Sequence, residues 1–268
     1  AAITNAAAIT YTGSGNSWNA KYTVSSSDTN GAISFILDVS DNAGNTNQKT
    51  ATTNSSSVTK VGTSTVVTTI TSDNAGHVRV YKYSNSVWTK LGDDIDGEAA
   101  NDESGYSVSL SSDGTIVAIG ASKNDGNGDD AGHVRMYQYD ATKTSADTDQ
   151  SSNTFGPVGW NRLGEDIDGE TADDKFGWAV SLSSDGSIVA IAGINSDGNG
   201  DNAGHVGVYQ YSNSAWTKLG DDIVGEAGGD NSGYSLSLSS DGAIVAIGAP
   251  YNNTGSAMAG HVRVYQRD

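Results

Sequence analysis

Cysteine is absent from this chain, proline occurs only twice in 268 residues, and positive charge is scarce. Without cysteine, disulfides contribute nothing to stability, and thiol usage says nothing about the redox compartment. Fourteen lysines and arginines stand against 32 acids, a net charge of −18. Such a surface repels nucleic acid and anionic membranes, so neither is expected as a partner. No apolar run approaches the ~20 residues of a membrane span, which argues against insertion. The long amphipathic patterns of helices are missing too. Hydrophobic residues come in bursts of four to seven, among 34 glycines and many Ser, Thr, Asn and Asp, the residues of tight turns. The composition predicts an all-β protein. No secretory signal is visible and the first residue is Ala1, so the chain reads as a processed piece of a longer protein.

What is present in abundance is repetition. The text from Trp88 to Tyr139 returns from Trp160 to Tyr211 and again from Trp216 to Gln266, and its tail already stands at Ser72–Tyr83. The AGHV histidines His77, His133, His205 and His261 are 56, 72 and 56 residues apart, the long interval holding a polar insertion at about Ala141–Pro157. Periods of this size signal arrays of supersecondary units such as propeller blades. Each unit reads as four short strands. In GYSVSLS, Tyr106, Val108 and Leu110 alternate with serines, the period of a strand. Asp113–Gly114 then turns the chain into TIVAIGA, a strong hairpin signal. A Gly/Asp/Asn loop leads to HVRMYQY, and WTKLG follows as the outer strand. The repeats are expected to form a β-propeller of four-stranded blades, four in this chain, with Tyr106, Trp178 and Tyr234 at equivalent places on innermost strands. The first unit has TVVTTI, HVRVYKY and WTKLG but no inner strand before them, and the last has no Trp strand.

Residues 1–60 differ. They are poor in acids and carry one apolar burst, AISFILDVS at Ala32–Ser40. The division expected is a segment 1–60 followed by repeats over 61–268. Two strands from the segment could close the ring, Ile33–Val39 pairing with Thr65–Ile70 and Trp18–Val24 with His261–Gln266. The rival arrangement is closure by a second chain, so a monomer is favoured over a homodimer.

Two family resemblances can be stated on these residues. SGYSVSLSSDGTIVAIGA, with its AGHVRVY-type sequel, resembles the FG-GAP repeat of integrin-α-type propellers. FG stands at Phe176–Gly177 and GAP at Gly248–Ala249–Pro250. This implies a β-propeller that binds ligands or mediates adhesion outside the cell. The family often carries a calcium loop between its first two blade strands. Here that connection is only Ser-Ser-Asp-Gly, too poor in oxygens for a cage of six to eight, so no calcium is expected at Asp113, Asp185 or Asp241. Ile9–Thr59, through SWNAKYTV, SSDTNG and DNAGN, resembles the second half of a bacterial immunoglobulin-like surface module.

The candidate metal ligands lie in the acidic connectors. Asp94, Glu98 and Asp102 recur as Asp166, Glu170 and Asp174, and as Asp222, Glu226 and Asp230. Carboxylates at fixed spacing in Gly-containing loops could hold calcium, the one cofactor this pattern suggests, or could cap turns. The NDGNGDD loop at Asn124–Asp130 and its echo at Ser196–Asn202 offer a second such choice. The four histidines are expected to bond neighbouring units rather than share a zinc. Trp88, Trp160 and Trp216 read as packing anchors, whereas Trp18, Phe155 and Trp160 are the aromatics to test for ligands. No nucleophile elbow, acid–base pair or phosphate loop supports catalysis. The expected function is a non-catalytic binding or adhesion module at the cell surface or outside the cell, taking a protein or glycan ligand. The alternatives are a carbohydrate-active propeller enzyme and a structural spacer.

Overall fold

The computed structural model describes residues 9–14, 17–23, 31–40, 46–58 and 65–71 as backbone strands, and residues 74–253 and 258–267 with their side chains. The described residues contain no helix, and all named strand pairs are antiparallel. The chain divides into two compact units, 1–72 and 73–268.

In the first unit β1 (Ile9–Ser14), β2 (Ser17–Thr23) and β5 (Thr65–Thr71) form one sheet in the order β1-β2-β5, and β3 (Gly31–Ser40) pairs with β4 (Thr46–Val58). This corrects two expectations. The ISFIL strand takes β4 as its partner rather than Thr65–Ile70, and β2 carries β1 on one edge and β5 on the other, not His261–Gln266. TVVTTI is a strand as read, but it pairs with β2 and not within the first repeat. A strand with no inner neighbour in its own repeat gains a continuous ladder of seven paired residues from β2.

The second unit contains the repeats. A hairpin of β6 (His77–Ser84) and β7 (Val87–Asp96) comes first. A sheet of β8 (Ser107–Leu110), β9 (Ile116–Ala121), β10 (His133–Tyr139) and β11 (Trp160–Arg162) follows, with β12 (Ile167–Asp168) also on β10. The next sheet repeats it with β13 (Phe176–Leu182), β14 (Ile188–Gly193), β15 (His205–Ser212), β16 (Ala215–Lys218) and β17 (Ile223–Val224). The last holds β18 (Ser235–Leu238), β19 (Ile244–Ala249) and β20 (His261–Gln266). Strand order follows chain order within each sheet, an arrangement that fits a propeller-like fold.

Local chemistry builds each sheet. The Asp113 carboxylate accepts from the Thr115 amide at 2.9 Å and from the Ser111 and Thr115 hydroxyls at 2.8 Å, while Gly114 takes φ +71°. The same turn recurs at Asp185 and Asp241, whose carboxyls these hydrogen bonds hold below the usual range. Asn85–Ser86 and Asn213–Ser214 both have positive φ, the conformation of a tight hairpin turn.

Consecutive sheets are stitched through backbone. In AGHV the glycine lies in the left-handed region, with φ near +76° at Gly76, Gly132 and Gly204. Its carbonyl accepts from the connector glycine, as in Gly169 N–H to Gly132 O at 2.8 Å, and the preceding alanine carbonyl accepts from the next inner strand, as in Phe176 N–H to Ala131 O at 2.9 Å. A Cβ on Gly132 would overlap the Phe176 carbonyl, so another residue would part the sheets. Serines add side-chain stitches, with Ser107 Oγ donating to Gly177 O and the Leu182 amide to Ser109 Oγ. Between the sheets lie apolar layers. Val134, Met136 and Ala118 of one sheet meet Phe176, Leu182, Val189 and Ile191 of the next. Ala190, Ala192 and Val206 then meet Val245 and Ile247. At about 25 cal/mol per Å², these layers supply the main attraction between repeats.

Candidate functional site

The connector acids engage three different kinds of partner. Asp102, Asp174 and Asp230 are buried caps, accepting from the amides of Ala99, Thr171 and Ala227 at 3.0, 3.0 and 3.1 Å. Asp102 and Asp230 also accept from Asn124 and Asn252. Asp94 faces Arg79 and Lys90, which hold its carboxyl far below the usual range, led by the hydrogen bond from Arg79. Asp166 faces Arg135 and Arg162, and Asp222 faces Lys218. The glutamates reach into the next repeat, Glu98 to Arg135, Glu170 to Lys218 at 3.0 Å, and Glu226 to Arg263 at 3.7 Å.

Geometry does gather one set with metal-binding chemistry. A carboxylate oxygen of Glu98, one of Asp166 and a ring nitrogen of His133 all lie within 4.8 Å of one another. Arg135 stands among them, ion-paired to both carboxylates with Nε 3.2 Å from Asp166 Oδ2. A cation here would compete with a guanidinium that is itself only 7% exposed in its side chain. The set joins a glutamate and an aspartate from successive connectors, not the three acids of one connector.

The histidines are built into the sheets. His133 and His205 are buried, and burial pushes both below the ordinary imidazole value. His205 stacks on Phe176 with ring centres 5.6 Å apart. In the other acidic loops, Asp125 and Asp197 accept from the amides of Asp130 and Asn202, while Asn127 and Asn199 donate to Gly169 O and Gly225 O of the following connector. These loops fasten one repeat to the next.

Among the aromatics selected from sequence, Trp160 is fully buried and donates Nε1–H to Leu91 O at 3.1 Å, so it has no face for a ligand. Phe155 lies under the Arg162 guanidinium at 5.0 Å. Trp18 falls on β2, whose side chains lie outside the described residues.

A different aromatic group does come together at the surface. Tyr106, Trp178 and Tyr234 stand at the starts of the three inner strands, with ring centres 4.6 Å apart between the first pair and 5.5 Å between the second. Tyr251 continues the row, edge-on to Tyr234 at 6.0 Å. Tyr106 is 46% exposed, and Tyr234 and Tyr251 are exposed as well. Each ring is held by a turn. The amides of Tyr106, Trp178 and Tyr234 donate to the carbonyls of Glu103, Lys175 and Asn231, all three of which have positive φ. Strained left-handed residues, costing about 1–3 kcal/mol each, are kept only where the surroundings enforce them. The glycine before each ring has φ +88°, +88° or +97°, and Gly177 packs against Gly120 of β9, so the inner strand β13 lies close against the preceding sheet. At these turns Lys123 donates to Glu103, and Asn231 donates to Ile194 O. Sequence reading put these rings at equivalent positions without recognising a site; the readable signal was an aromatic after glycine in all three copies.

Residues 95–137 match the family model of the FG-GAP repeat. No curated protein sequence matches the chain. Among solved structures, one described as a 6-phosphogluconolactonase from Bacteroides uniformis is similar over 96% of this chain and 66% of its own, at 11% identity and a TM-score of 0.44. No helix among the described residues is long and apolar enough to cross a membrane.

Proposed function

We propose that this chain is a non-catalytic binding or adhesion module of a larger protein at the cell surface or outside the cell. In this reading its repeat sheets are the blades of a propeller, and its contact surface is the row Tyr106–Trp178–Tyr234–Tyr251. The FG-GAP match at 95–137 supports the repeat class and its extracellular setting. The observation that carries the reading is the convergence of three repeat-equivalent rings into one row on strained turns, with Tyr106 and Tyr234 exposed and Trp178 half-buried between them. Exposed Tyr and Trp on rigid elements are the side chains that dominate recognition surfaces, for a protein or a glycan, because they bring large area at little entropic cost.

The test is binding of the purified chain to glycan and protein arrays, with and without calcium. A specific ligand should appear, and Trp178→Ala should weaken it at least about tenfold while the melting curve stays cooperative. Turnover of an arrayed glycan, or binding indifferent to Trp178→Ala and Tyr234→Ala, would refute the reading.

A further inference from the structure

Three asparagines in this chain are followed by glycine, Asn30, Asn127 and Asn199. The last two hold the same place in successive repeats, one in the loop between β9 and β10 and one in the loop between β14 and β15. Each gives its side-chain amide to the following repeat. Asn127 Nδ2 donates to Gly169 O at 2.7 Å, and Asn199 Nδ2 to Gly225 O at 2.9 Å. The glycine after each is fixed as firmly. Gly128 and Gly200 have φ +137° and +120°, backbone that residues with a Cβ rarely adopt. A Cβ on Gly128 would also stand 3.2 Å from the Ala172 side chain, and one on Gly200 3.1 Å from the Gly228 nitrogen, both in the following connector. Each junction therefore requires an amide donor and then a glycine.

That order of residues has a chemistry of its own. The backbone nitrogen of a glycine, unhindered by a Cβ, attacks the side-chain carbonyl carbon of the asparagine before it once its proton is lost. Both asparagines are exposed, so hydroxide and water reach them. Gly128 N–H donates to Asp125 O at 3.3 Å and Gly200 N–H to Asp197 O at 3.1 Å, the first longer than an ordinary amide hydrogen bond. The carboxylates of Asp125 and Asp129, close by in the sequence, oppose a negative nitrogen, which slows the step without removing its dependence on hydroxide.

We propose that Asn127 and Asn199 are self-modification sites, whose conversion to aspartate and isoaspartate loosens the junctions between repeats as the protein ages. Hydroxide takes the Gly128 amide proton. The nitrogen bonds to Asn127 Cγ, the Cγ–Nδ2 bond breaks, and Nδ2 leaves as ammonia with a proton from water. Water then opens the cyclic imide at one carbonyl or the other. The product is aspartate or, with the chain rerouted through the side chain, isoaspartate. Either one ends the donation to Gly169 O and sets a carboxylate oxygen there, acceptor against acceptor. Isoaspartate also lengthens the backbone where Gly128 packs on Ala172. The effect reaches the next connector, because the same loops hold it. Lys175 N–H donates to Asp130 O, and Asn231 N–H to Asn202 O.

The test keeps the full chain folded at mildly alkaline pH and maps it over time by peptide mass spectrometry, beside the same chain in urea. Aspartate and isoaspartate should accumulate at positions 127 and 199 of the folded chain, at a rate that rises with hydroxide. That rate should be slower than in urea, because attack waits on local opening of the loop. The variant Asn127→Gln/Asn199→Gln, whose longer side chains close the ring far more slowly, should stay unmodified over the same time. In the aged chain, and in Asn127→Asp/Asn199→Asp made directly, the amides of Lys175 and Asn231 should exchange with solvent at least about fivefold faster than in fresh protein. Asparagine intact at both positions of the folded chain, once the urea sample is fully converted, would overturn the proposal. So would conversion at both positions with exchange at Lys175 and Asn231 unchanged.

Discussion

Trp160 and Trp88 occupy the same place in the repeat and share its motif, yet Trp160 is fully buried and Trp88 is 66% exposed. Both rings pack on the tyrosine across their own hairpin, Trp160 on Tyr139 at 5.2 Å and Trp88 on Tyr83 at 5.1 Å. Trp160 also has Leu91 O and Gly92 of the preceding repeat to cover, a partner that Trp88 lacks among the described residues. Local sequence therefore sets the strand and the ring position, and the neighbouring sheet sets whether that ring is core. The largest expected effect follows from this difference. Trp160→Ala should destabilise the repeats by about 3–5 kcal/mol, since it empties a closed site. Trp88→Ala should cost about 0.5 kcal/mol or less. Equal shifts of the two denaturation midpoints would mean that Trp88 is covered as Trp160 is, and the comparison would fail.

The same contrast runs through the charged clamps. Arg135 is almost wholly buried between Glu98 and Asp166, whereas Arg79, its counterpart in the first hairpin, is largely exposed on Asp94. Arg135→Met leaves Glu98 without its cation and Asp166 with Arg162 alone, and a loss of about 2–3 kcal/mol is expected by urea denaturation. Arg79→Met should lose less than about 1 kcal/mol, as exposed pairs do. If added calcium restored the Arg135→Met variant and not the parent, the Glu98–His133–Asp166 set would have the affinity that Arg135 now masks.

Much of this architecture was legible beforehand, for physical reasons that differ by element. GYSVSLS, IVAIGA and HVRMYQY announce themselves through strict alternation and an Asp-Gly turn, and β8, β9 and β10 lie where expected. The pairing of TVVTTI was not legible, because its alternation fits any sheet edge and nothing local chooses β2. The acids taken alone leave calcium binding and turn capping both open, and Asp102, Asp174 and Asp230 cap turns. Their carboxylates recur, but so do the cations at the third position of HVR, and reading both together would have suggested ion-pair clamps beside a metal cage. The aromatic row depends on how closely Gly177 approaches Gly120, a distance between repeats that no single copy encodes.

Acid should weaken the repeats through their two buried histidines, His133 and His205. Burial lowers His133 and His205 below their unfolded value, so the unfolded chain binds more protons as pH falls past about 6.5. The stability they contribute is present above that pH and is lost as pH falls toward their folded values. The slope is at most about 1.4 kcal/mol per pH unit for each histidine. Asp166 and Asp168 near His133, and Asp222 and Asp174 near His205, soften it by favouring the charged ring. Denaturation midpoints between pH 7 and 5 should fall less steeply in a His133→Gln/His205→Gln variant.

A small effect is also expected where a clamp has lost its arginine. Gly207 stands at the position of Arg135, the Tyr209 ring would lie 2.8 Å from a Cβ placed there, and Lys218 bridges Asp222 and Glu170 instead. Lys218 is a weaker clamp, because its Glu170 partner is 65% exposed and water screens that contact. Asp222 still keeps a buried Oδ1 without a hydrogen-bond partner. Lys218→Met should therefore cost less than about 1 kcal/mol, with the cost shrinking further in about 0.5 M salt. The Arg135→Met loss should persist in that salt, because a buried pair is poorly screened. A Lys218→Met loss as large and as salt-resistant as that of Arg135→Met would show that lysine on a glycine background replaces the arginine clamp fully.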